Sequence, residues 1–148
     1  MRLVIQRVKH AKMSVNEKIV GQINHGFLIY VGIHIEDTEQ EVIKFAHKVH
    51  QLRVFEDQEG KMNLDISKVN GEILAISQFT LYGDTKRGNR PSFIEAARPE
   101  QANQLYELFC QELNHKIHVE KGVFGSHMMI ESINDGPVTI LMDSRKES

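Results

Sequence analysis

Cysteine is almost absent from this sequence, and it contains no long apolar run. The chain of 148 residues has a single cysteine, Cys110. One cysteine excludes an internal disulfide framework and a zinc site built from several cysteines, and it is typical of a reducing compartment. The first ten residues alternate apolar with charged side chains, and no later apolar stretch has the length of a membrane span. We therefore expect a soluble, cytoplasmic protein that does not enter a membrane.

A large excess of positive charge is also lacking. Eighteen Lys and Arg residues stand against twenty Asp and Glu residues, which gives a formal net charge of −2. General nucleic-acid coat proteins have a basic excess, so this function class is excluded and any polyanion must be bound locally. The one candidate patch is DTKRGNRPSF, which carries Lys86, Arg87 and Arg90. On charge alone this patch is a solvated turn, but its position just after the polar cluster described below favours a binding role.

Motifs for metals, nucleotides and common nucleophiles are missing too. Eight histidines are present, but the close pairs, His47 with His50 and His115 with His118, lack a neighbouring third ligand. The sequence contains no G-x-S-x-G elbow, no phosphate-binding P-loop and no dinucleotide fingerprint. We therefore expect neither a metal site nor a bound cofactor.

What the sequence does contain is an alternation of strand and helix signals without a linker. This pattern predicts one domain over residues 1–148, of class α+β, mainly sheet, with two helices. The predicted elements are strands from Leu3, from Gly26 to Ile33 and from Glu72, a hairpin with its turn at Gln58 to Gly60, a helix from a Thr38/Glu41 capping box to about Leu52, a second helix after Pro99, and further strands in the last third.

The segment Glu72 to Asp84, EILAISQFTLYGD, changes character along its length. Residues 73–76 are apolar and predict a strand buried on both faces, and Ser77, Gln78 and Thr80 follow without a turn residue. A buried hydroxyl or amide without a partner costs about 1 to 3 kcal/mol. These polar groups around Phe79 therefore need hydrogen-bond partners from the protein, from water or from a ligand.

A second unusual segment is NDGPVT, which lies between two strand-like runs. Pro137 has no N–H for a ladder and belongs at the start or edge of a strand, while Gly136 allows backbone geometries that other residues avoid. A turn is the ordinary interpretation, and the sequence does not select the isomer of the Gly136–Pro137 bond.

These segments resemble the D-aminoacyl-tRNA deacylase (D-tyrosyl-tRNA deacylase) family. The resemblance rests on SQFTLYGD followed by KRGNRPSF, on FGSHM and NDGPVT near the C-terminus, and on QRV near the N-terminus. It runs nearly end to end and includes LRVFEDQEGKMNLD and GEILAISQFTLYGD in the same order. One departure is Gly83, where the family leads us to expect alanine; the change would loosen the loop that carries Lys86 and Arg87.

The resemblance implies a fold and an activity. The fold is an antiparallel β-barrel-like sheet with two main helices outside, assembled as a homodimer with its active sites at the interface. The activity is hydrolysis of the ester between tRNA and a D-amino acid, or glycine mischarged on tRNA-Ala, so the partner is aminoacylated tRNA. Ser77, Gln78, Phe79 and Thr80 would line the adenosine and aminoacyl pocket, with backbone N–H groups near Phe79 directed at the carbonyl oxygen. Lys86, Arg87 and Arg90 would contact the tRNA.

The resemblance also implies how chirality is tested. The Gly136–Pro137 bond would be cis and would enter the partner subunit's pocket, where backbone carbonyls exclude an L side chain. Arg7 of QRV would hold this loop in place, and Met128 of FGSHM would form part of the pocket wall. A surface salt bridge for Arg7 and a core position for Met128 are equally weighted alternatives.

Two mechanisms and two rival functions remain open from the sequence. Thr80 is one candidate nucleophile, but no histidine or lysine is adjacent to act as its base. The favoured alternative is attack assisted by the vicinal ribose hydroxyl, with the protein supplying orientation and an oxyanion site. The rival functions are a non-catalytic RNA-binding module, which would use the basic patch, and a hydrolase of small esters or peptides, which would use Thr80.

Overall fold

The computed structural model describes residues 1–146. Its elements, in chain order, are β1 (Arg2–Val15), β2 (Lys18–Ile23), β3 (Gly26–Gly32), α1 (Glu39–Gln51), β4 (Phe55–Glu56), β5 (Met62–Leu64), β6 (Glu72–Ser77), α2 (Pro99–Leu113), β7 (Val119–Lys121) and β8 (Met129–Asp143). Short 3-10 helices lie at Ile66–Val69 and Phe79–Tyr82. Neither α1 nor α2 is long and apolar enough to cross a membrane.

Strand β1 organises the main sheet because it is long enough to pair with three neighbours. Its first half pairs with β3 and its second half with β2, while β8 runs along its other edge, and all three pairings are antiparallel. The sheet continues from β3 to β6 and β7 with parallel pairing, for which helices α1 and α2 provide the crossover connections. Strand β2 also contacts β6 and β7, so the sheet curls into a nearly closed barrel.

The predicted α+β class with a barrel-like sheet and two main helices is confirmed. The antiparallel pairing expected from the resemblance applies around β1, and the sheet as a whole is mixed because β6 and β7 are parallel to their neighbours. The predicted hairpin is also present as β4 and β5, with Gly60 at φ +76° in its turn.

Strands β3 and β6 are buried on both faces, as their apolar runs predict. Phe27 and Ile73 pack into the core beneath the helices, whereas Leu28 and Leu74 pack into a second cluster on the opposite face of the sheet. Side chains of successive strand residues point to opposite faces, so one apolar run serves both clusters. The C-terminal end of β6 is therefore fixed from two sides.

Both helices begin where the sequence predicts. The hydroxyl of Thr38 accepts a hydrogen bond from the Glu41 amide at 3.2 Å, and α2 begins at Pro99. Cys110 lies on the buried side of α2, and burial raises the pKa of its thiol to about 12. Because the thiolate is the reactive form, this cysteine is a packing residue.

Candidate active site

A cavity of about 590 Å³ lies beside the C-terminal end of β6. Its inner wall is apolar and comes from β3, α2 and β8, and its polar groups come from the end of β6 and from the loop before β8. The lining residues are Val31, Ile33, Ser77, Gln78, Phe79, Phe93, Ala96, Ala97, Pro99, Ala102, Phe124, Gly125, Ser126, His127, Met128 and Ile130.

The polar cluster is positioned by the parallel pairing of β6 with β3. Ser77 is the last strand residue and pairs with Val31, and the amide of Gln78 then donates to the Val31 carbonyl at 2.7 Å. The chain turns at once into the 3-10 helix Phe79–Tyr82. Ser77 and Gln78 are half-buried and Thr80 is exposed. Strand β6, which is buried on both faces, therefore ends in polar residues that line the cavity.

The protein itself supplies only part of the hydrogen bonding of the polar cluster. The side-chain amide of Gln78 donates to the hydroxyl of Thr80. It does not cap the 3-10 helix, so the first N–H groups of this helix, those of Phe79 and Thr80, receive no side-chain partner there. Within residues 1–146, no histidine or lysine side chain is hydrogen-bonded to Thr80. The Thr80 hydroxyl therefore has no general base hydrogen-bonded to it among the described residues, although His127 lines the same cavity.

Two aromatic rings form the rim of the cavity. Phe79 is 56% exposed, and its ring meets that of Phe93 edge-on, with centroids 5.0 Å apart. The segment that carries Phe93 is fixed by backbone hydrogen bonds from Ile35 to Glu95 and from Ala97 to Ile33, each 2.9 Å long. Exposed aromatic faces of this kind suit the stacking of a nucleobase.

Gly136 and Pro137 lie in an interruption of the pairing between β1 and β8. Gln6 pairs with Thr139 and Val8 pairs with Asn134, so residues 135–138 bulge out opposite one residue of β1. Both Gly136 and Pro137 are exposed, and the peptide bond between them is cis. Gly136 has φ +147°, and a Cβ there would lie 2.7 Å from the Val138 nitrogen, so only glycine fits this bulge without strain.

Arg7 is the β1 residue opposite this bulge, and it is 5% exposed. Its Nε donates to the Asp135 carbonyl at 2.9 Å and its Nη1 donates to the Val54 carbonyl at 2.7 Å. The carboxylates of Glu56 and Asp135 each approach the guanidinium to 3.6 Å. Arg7 therefore connects the bulge to the hairpin, in contrast to the surface salt bridge considered as the alternative.

The basic patch lies on a loop closed by reciprocal backbone hydrogen bonds between Asp84 and Ser92, both 2.8 Å long. Lys86, Arg87 and Arg90 are all exposed on it. Gly83 precedes the loop, and a Cβ there would lie 3.1 Å both from the Phe93 ring and from the Thr80 carbonyl oxygen. Glycine at this position thus gives the aromatic rim room to pack closely.

The structure separates the predicted site residues into three groups. Ser77, Gln78, Phe79 and Met128 line one cavity, and Thr80 follows directly on its rim. Gly136 and Pro137 lie in the bulge on β8, with Arg7 of β1 opposite them, and none of these three residues lines this cavity in its own chain. The three cations lie on the Asp84–Ser92 loop.

Sequence reasoning missed several cavity residues. Phe93 and Phe124 are separated from Phe79 in the chain, and Ser126 and His127 were part of the FGSHM motif without an assigned role. Each of these residues lies within a motif that carries the resemblance, KRGNRPSF for Phe93 and FGSHM for the other three. Their aromatic or polar character within those motifs was the signal available in the sequence. Within residues 1–146, no three His, Cys, Asp or Glu side chains converge where they could hold a metal ion.

Comparison with known proteins places this arrangement in a family. The sequence matches the family described as D-Tyr-tRNA(Tyr) deacylase over residues 4–143. A D-aminoacyl-tRNA deacylase from Thermotoga petrophila is 54% identical over 147 residues, covering 99% of this chain and 99% of that protein. The D-aminoacyl-tRNA deacylase from Bacillus pumilus is 52% identical, covering 99% of this chain and 100% of that protein.

Solved structures share the fold. That of c-Myc DNA Unwinding Element Binding Protein has a TM-score of 0.92 and 37% identity, and covers 97% of this chain and 99% of that one. That of a probable eukaryotic D-amino acid tRNA deacylase has a TM-score of 0.82 and 17% identity, and covers 95% of this chain and 97% of that one. At this identity the likeness shows the fold alone. The family match and the full-length relatives confirm the family and the enzyme class, a hydrolase of ester bonds, predicted from the motifs. The chain belongs to the D-aminoacyl-tRNA deacylase family.

Proposed function

We propose that residues 1–148 form one cytoplasmic deacylase domain that hydrolyses the ester between tRNA and a D-amino acid, or glycine mischarged on tRNA-Ala. The observation that carries the proposal is the cavity at the end of β6, where Ser77 and Gln78 meet the aromatic rim of Phe79 and Phe93. Its apolar wall suits an amino-acid side chain or a base, and its polar groups suit a ribose and an ester.

The position of the basic loop supports tRNA as the substrate. Phe79 and Phe93 present an aromatic surface on which the terminal adenine stacks. The loop that carries Lys86, Arg87 and Arg90 begins two residues after Tyr82, the end of the 3-10 helix. Cations this close to the cavity contact the phosphates of the tRNA 3′ end, which compensates locally for the net negative charge of the chain.

Strand β8 supports a homodimer with shared sites. It is an edge strand that pairs with β1 alone among the described strands, and it exposes Met129, Ile133 and Leu141 at 65, 50 and 74%. Exposed apolar edges of this kind are typical of interfaces. In the proposed dimer the Gly136–Pro137 bulge of each subunit enters the partner's cavity, and its carbonyls occupy the space that an L side chain requires.

The chemistry proposed for the cavity is positioning without a protein nucleophile. Water adds to the ester carbonyl carbon, the bond to the ribose oxygen breaks, and that oxygen leaves with a proton. The vicinal ribose hydroxyl assists the attack, and the backbone N–H of Phe79 stabilises the oxyanion. The hydrogen bond from Gln78 to Thr80 supports this choice, since it gives the Thr80 hydroxyl a donor rather than a base.

Turnover of one tRNA charged with the D or the L form of an amino acid tests the proposal. We expect rapid release of the D-amino acid and no detectable release of the L form, with glycyl-tRNA-Ala also cleaved. One structurally similar protein is named for binding DNA, so a non-catalytic nucleic-acid binder is the main rival, and it would bind the tRNA without releasing either amino acid. A small-ester hydrolase would cleave simple esters and ignore the tRNA.

A further inference from the structure

We propose that Arg2 is a positioning residue that fixes the 3-10 helix Phe79–Tyr82 to the end of β8. This inference rests on the proposed function, because it assumes that Phe79 and Thr80 act in ester hydrolysis. Arg2 does not line the cavity, so it would act on the substrate only through this helix.

Three contacts place the Arg2 guanidinium between the two elements. Its Nη1 donates to the Leu81 carbonyl at 2.9 Å, and its Nε donates to Asp143 Oδ2, also at 2.9 Å. Its central carbon lies 4.5 Å from the centre of the Tyr82 ring. A guanidinium is planar and carries donors in a fixed fork, so these contacts define both its place and its orientation.

Arg2 provides a side-chain hydrogen bond to the C-terminal end of the 3-10 helix, in addition to the backbone bond from the Gly83 amide to the Thr80 carbonyl at 3.0 Å. The last carbonyls of a helix have no partner within the helix, and Arg2 supplies one for Leu81. Tyr82 is 2% exposed, yet its hydroxyl has no hydrogen-bond partner among the described residues. The Tyr82 ring is therefore located by packing against Arg2 and by an edge contact with His34, whose centroid is 5.3 Å away.

The other end of this connection is equally well fixed. Asp143 is the last residue of β8 and pairs with Arg2 in the β1–β8 ladder. Its second carboxylate oxygen, Oδ1, accepts from the Arg145 amide at 2.9 Å, so the carboxylate cannot turn freely. Strand β8 also carries Gly136 and Pro137, so Arg2 sets the position of the cavity turn relative to the strand that bears the proposed chirality filter.

The test compares Arg2→Ala and Arg2→Lys with the control Lys12→Ala. Lys12 also joins β1 to β8, through an ion pair with Glu131 at 2.9 Å, but it lies at the other end of β1. We expect Arg2→Ala to lower kcat for D-aminoacyl-tRNA by about 10- to 100-fold, the effect of a misplaced reacting group, with little change in KM. Arg2→Lys should recover only part of kcat, because an ammonium cannot reproduce the fork, and Lys12→Ala should keep the wild-type kcat.

An unchanged kcat in Arg2→Ala, or an equal loss in Lys12→Ala, overturns the inference. Asp143→Ala provides a second route if Arg2→Ala does not fold, because it removes the anchor and leaves the bond to Leu81. In that variant a fall in kcat at unchanged KM supports the connection, and wild-type kinetics contradict it. Gln78→Ala separates the two proposals: if it keeps full turnover, the proposed site is wrong, whereas a Gln78→Ala loss beside a normal Arg2→Ala overturns the positioning role alone.

Discussion

Arg7 and Gly136 face each other across the β1–β8 pair, and Arg7 Nη2 lies 3.4 Å from the position that a Cβ on Gly136 would occupy. The same guanidinium donates to the carbonyl of Asp135, directly before the cis bond. The bulge is therefore supported from beneath by a buried cation and is exposed on its outer side. Because Arg7 lies beneath the bulge and Gly136 lies within it, the contribution of each residue can be tested by its own substitution.

Replacing Arg7 should disorganise the bulge. Arg7→Ala leaves the Asp135 and Val54 carbonyls without their donor, and we expect a loss of about 1 to 3 kcal/mol in the free energy of unfolding. The turnover of D-aminoacyl-tRNA should fall, and the ratio of D to L turnover should fall by a larger factor. Arg7→Lys should rescue little, because one ammonium cannot reach both carbonyls in the fork geometry. Denaturant unfolding and turnover with matched D and L substrates measure these effects, and an unchanged D to L ratio in Arg7→Ala would contradict the role.

Replacing Gly136 should block the pocket of the partner subunit. In Gly136→Ala the new Cβ meets Val138 within the bulge and also occupies space that the proposal assigns to the substrate. We expect D-aminoacyl-tRNA cleavage to be lost. Gly60→Ala is the matched control, since Gly60 also has a positive φ but a Cβ there would meet nothing within 4 Å. If Gly136→Ala cleaves D-aminoacyl-tRNA at the wild-type rate, the bulge has no part in the mechanism.

A charged residue on the exposed edge of β8 should dissociate the proposed dimer and, as a consequence, abolish activity. Leu141 is 74% exposed in the single chain, so Leu141→Lys should leave the fold of each subunit intact while placing like charges at the proposed interface. Light scattering should then report a monomer, and turnover should be lost although every cavity residue is present. Met62→Lys, an exposed position on the β4–β5 hairpin, is the control. An active monomer would refute the shared site.

The basic loop should act through salt-dependent binding. Changing Lys86 and Arg87 together to Ala should weaken tRNA binding, and the slope of log K against log salt should decrease by about 0.7 for each phosphate that the loop no longer neutralises. Because these side chains lie on the Asp84–Ser92 loop and do not line the cavity, saturating tRNA should restore kcat. The double change of Lys18 and Lys61, both exposed elsewhere, should leave the slope unchanged. Failure of saturating tRNA to restore turnover would mean that the loop does more than bind phosphate.

The local elements could be predicted because their signals are local. The apolar run at residues 73–76, the Thr38 cap and Pro99 each determine a short stretch of backbone through its own side chains. The cavity could be predicted only in part. Phe93 joins Phe79 through the loop closed at Asp84 and Ser92, and Arg2 reaches Leu81 across 79 positions of sequence. Such contacts depend on which strands pair, and the parallel pairing of β3 with β6 is not encoded in either strand alone.

The last prediction concerns which group assists the attack on the ester. If Thr80 were the nucleophile, Thr80→Ala would abolish turnover, Thr80→Ser would keep it, and a tRNA ending in a deoxyadenosine without the vicinal hydroxyl would still be cleaved. We expect the reverse. The Thr80 hydroxyl is exposed and receives a hydrogen bond from Gln78, so Thr80→Ala should lower kcat by no more than about tenfold, the effect of one neutral hydrogen bond. The deoxy substrate should bind with normal affinity and be cleaved very slowly, because the positioned hydroxyl is what the cavity orients. Single-turnover rates with both substrates and both variants decide the matter, and rapid cleavage of the deoxy substrate beside an inactive Thr80→Ala would reverse the assignment.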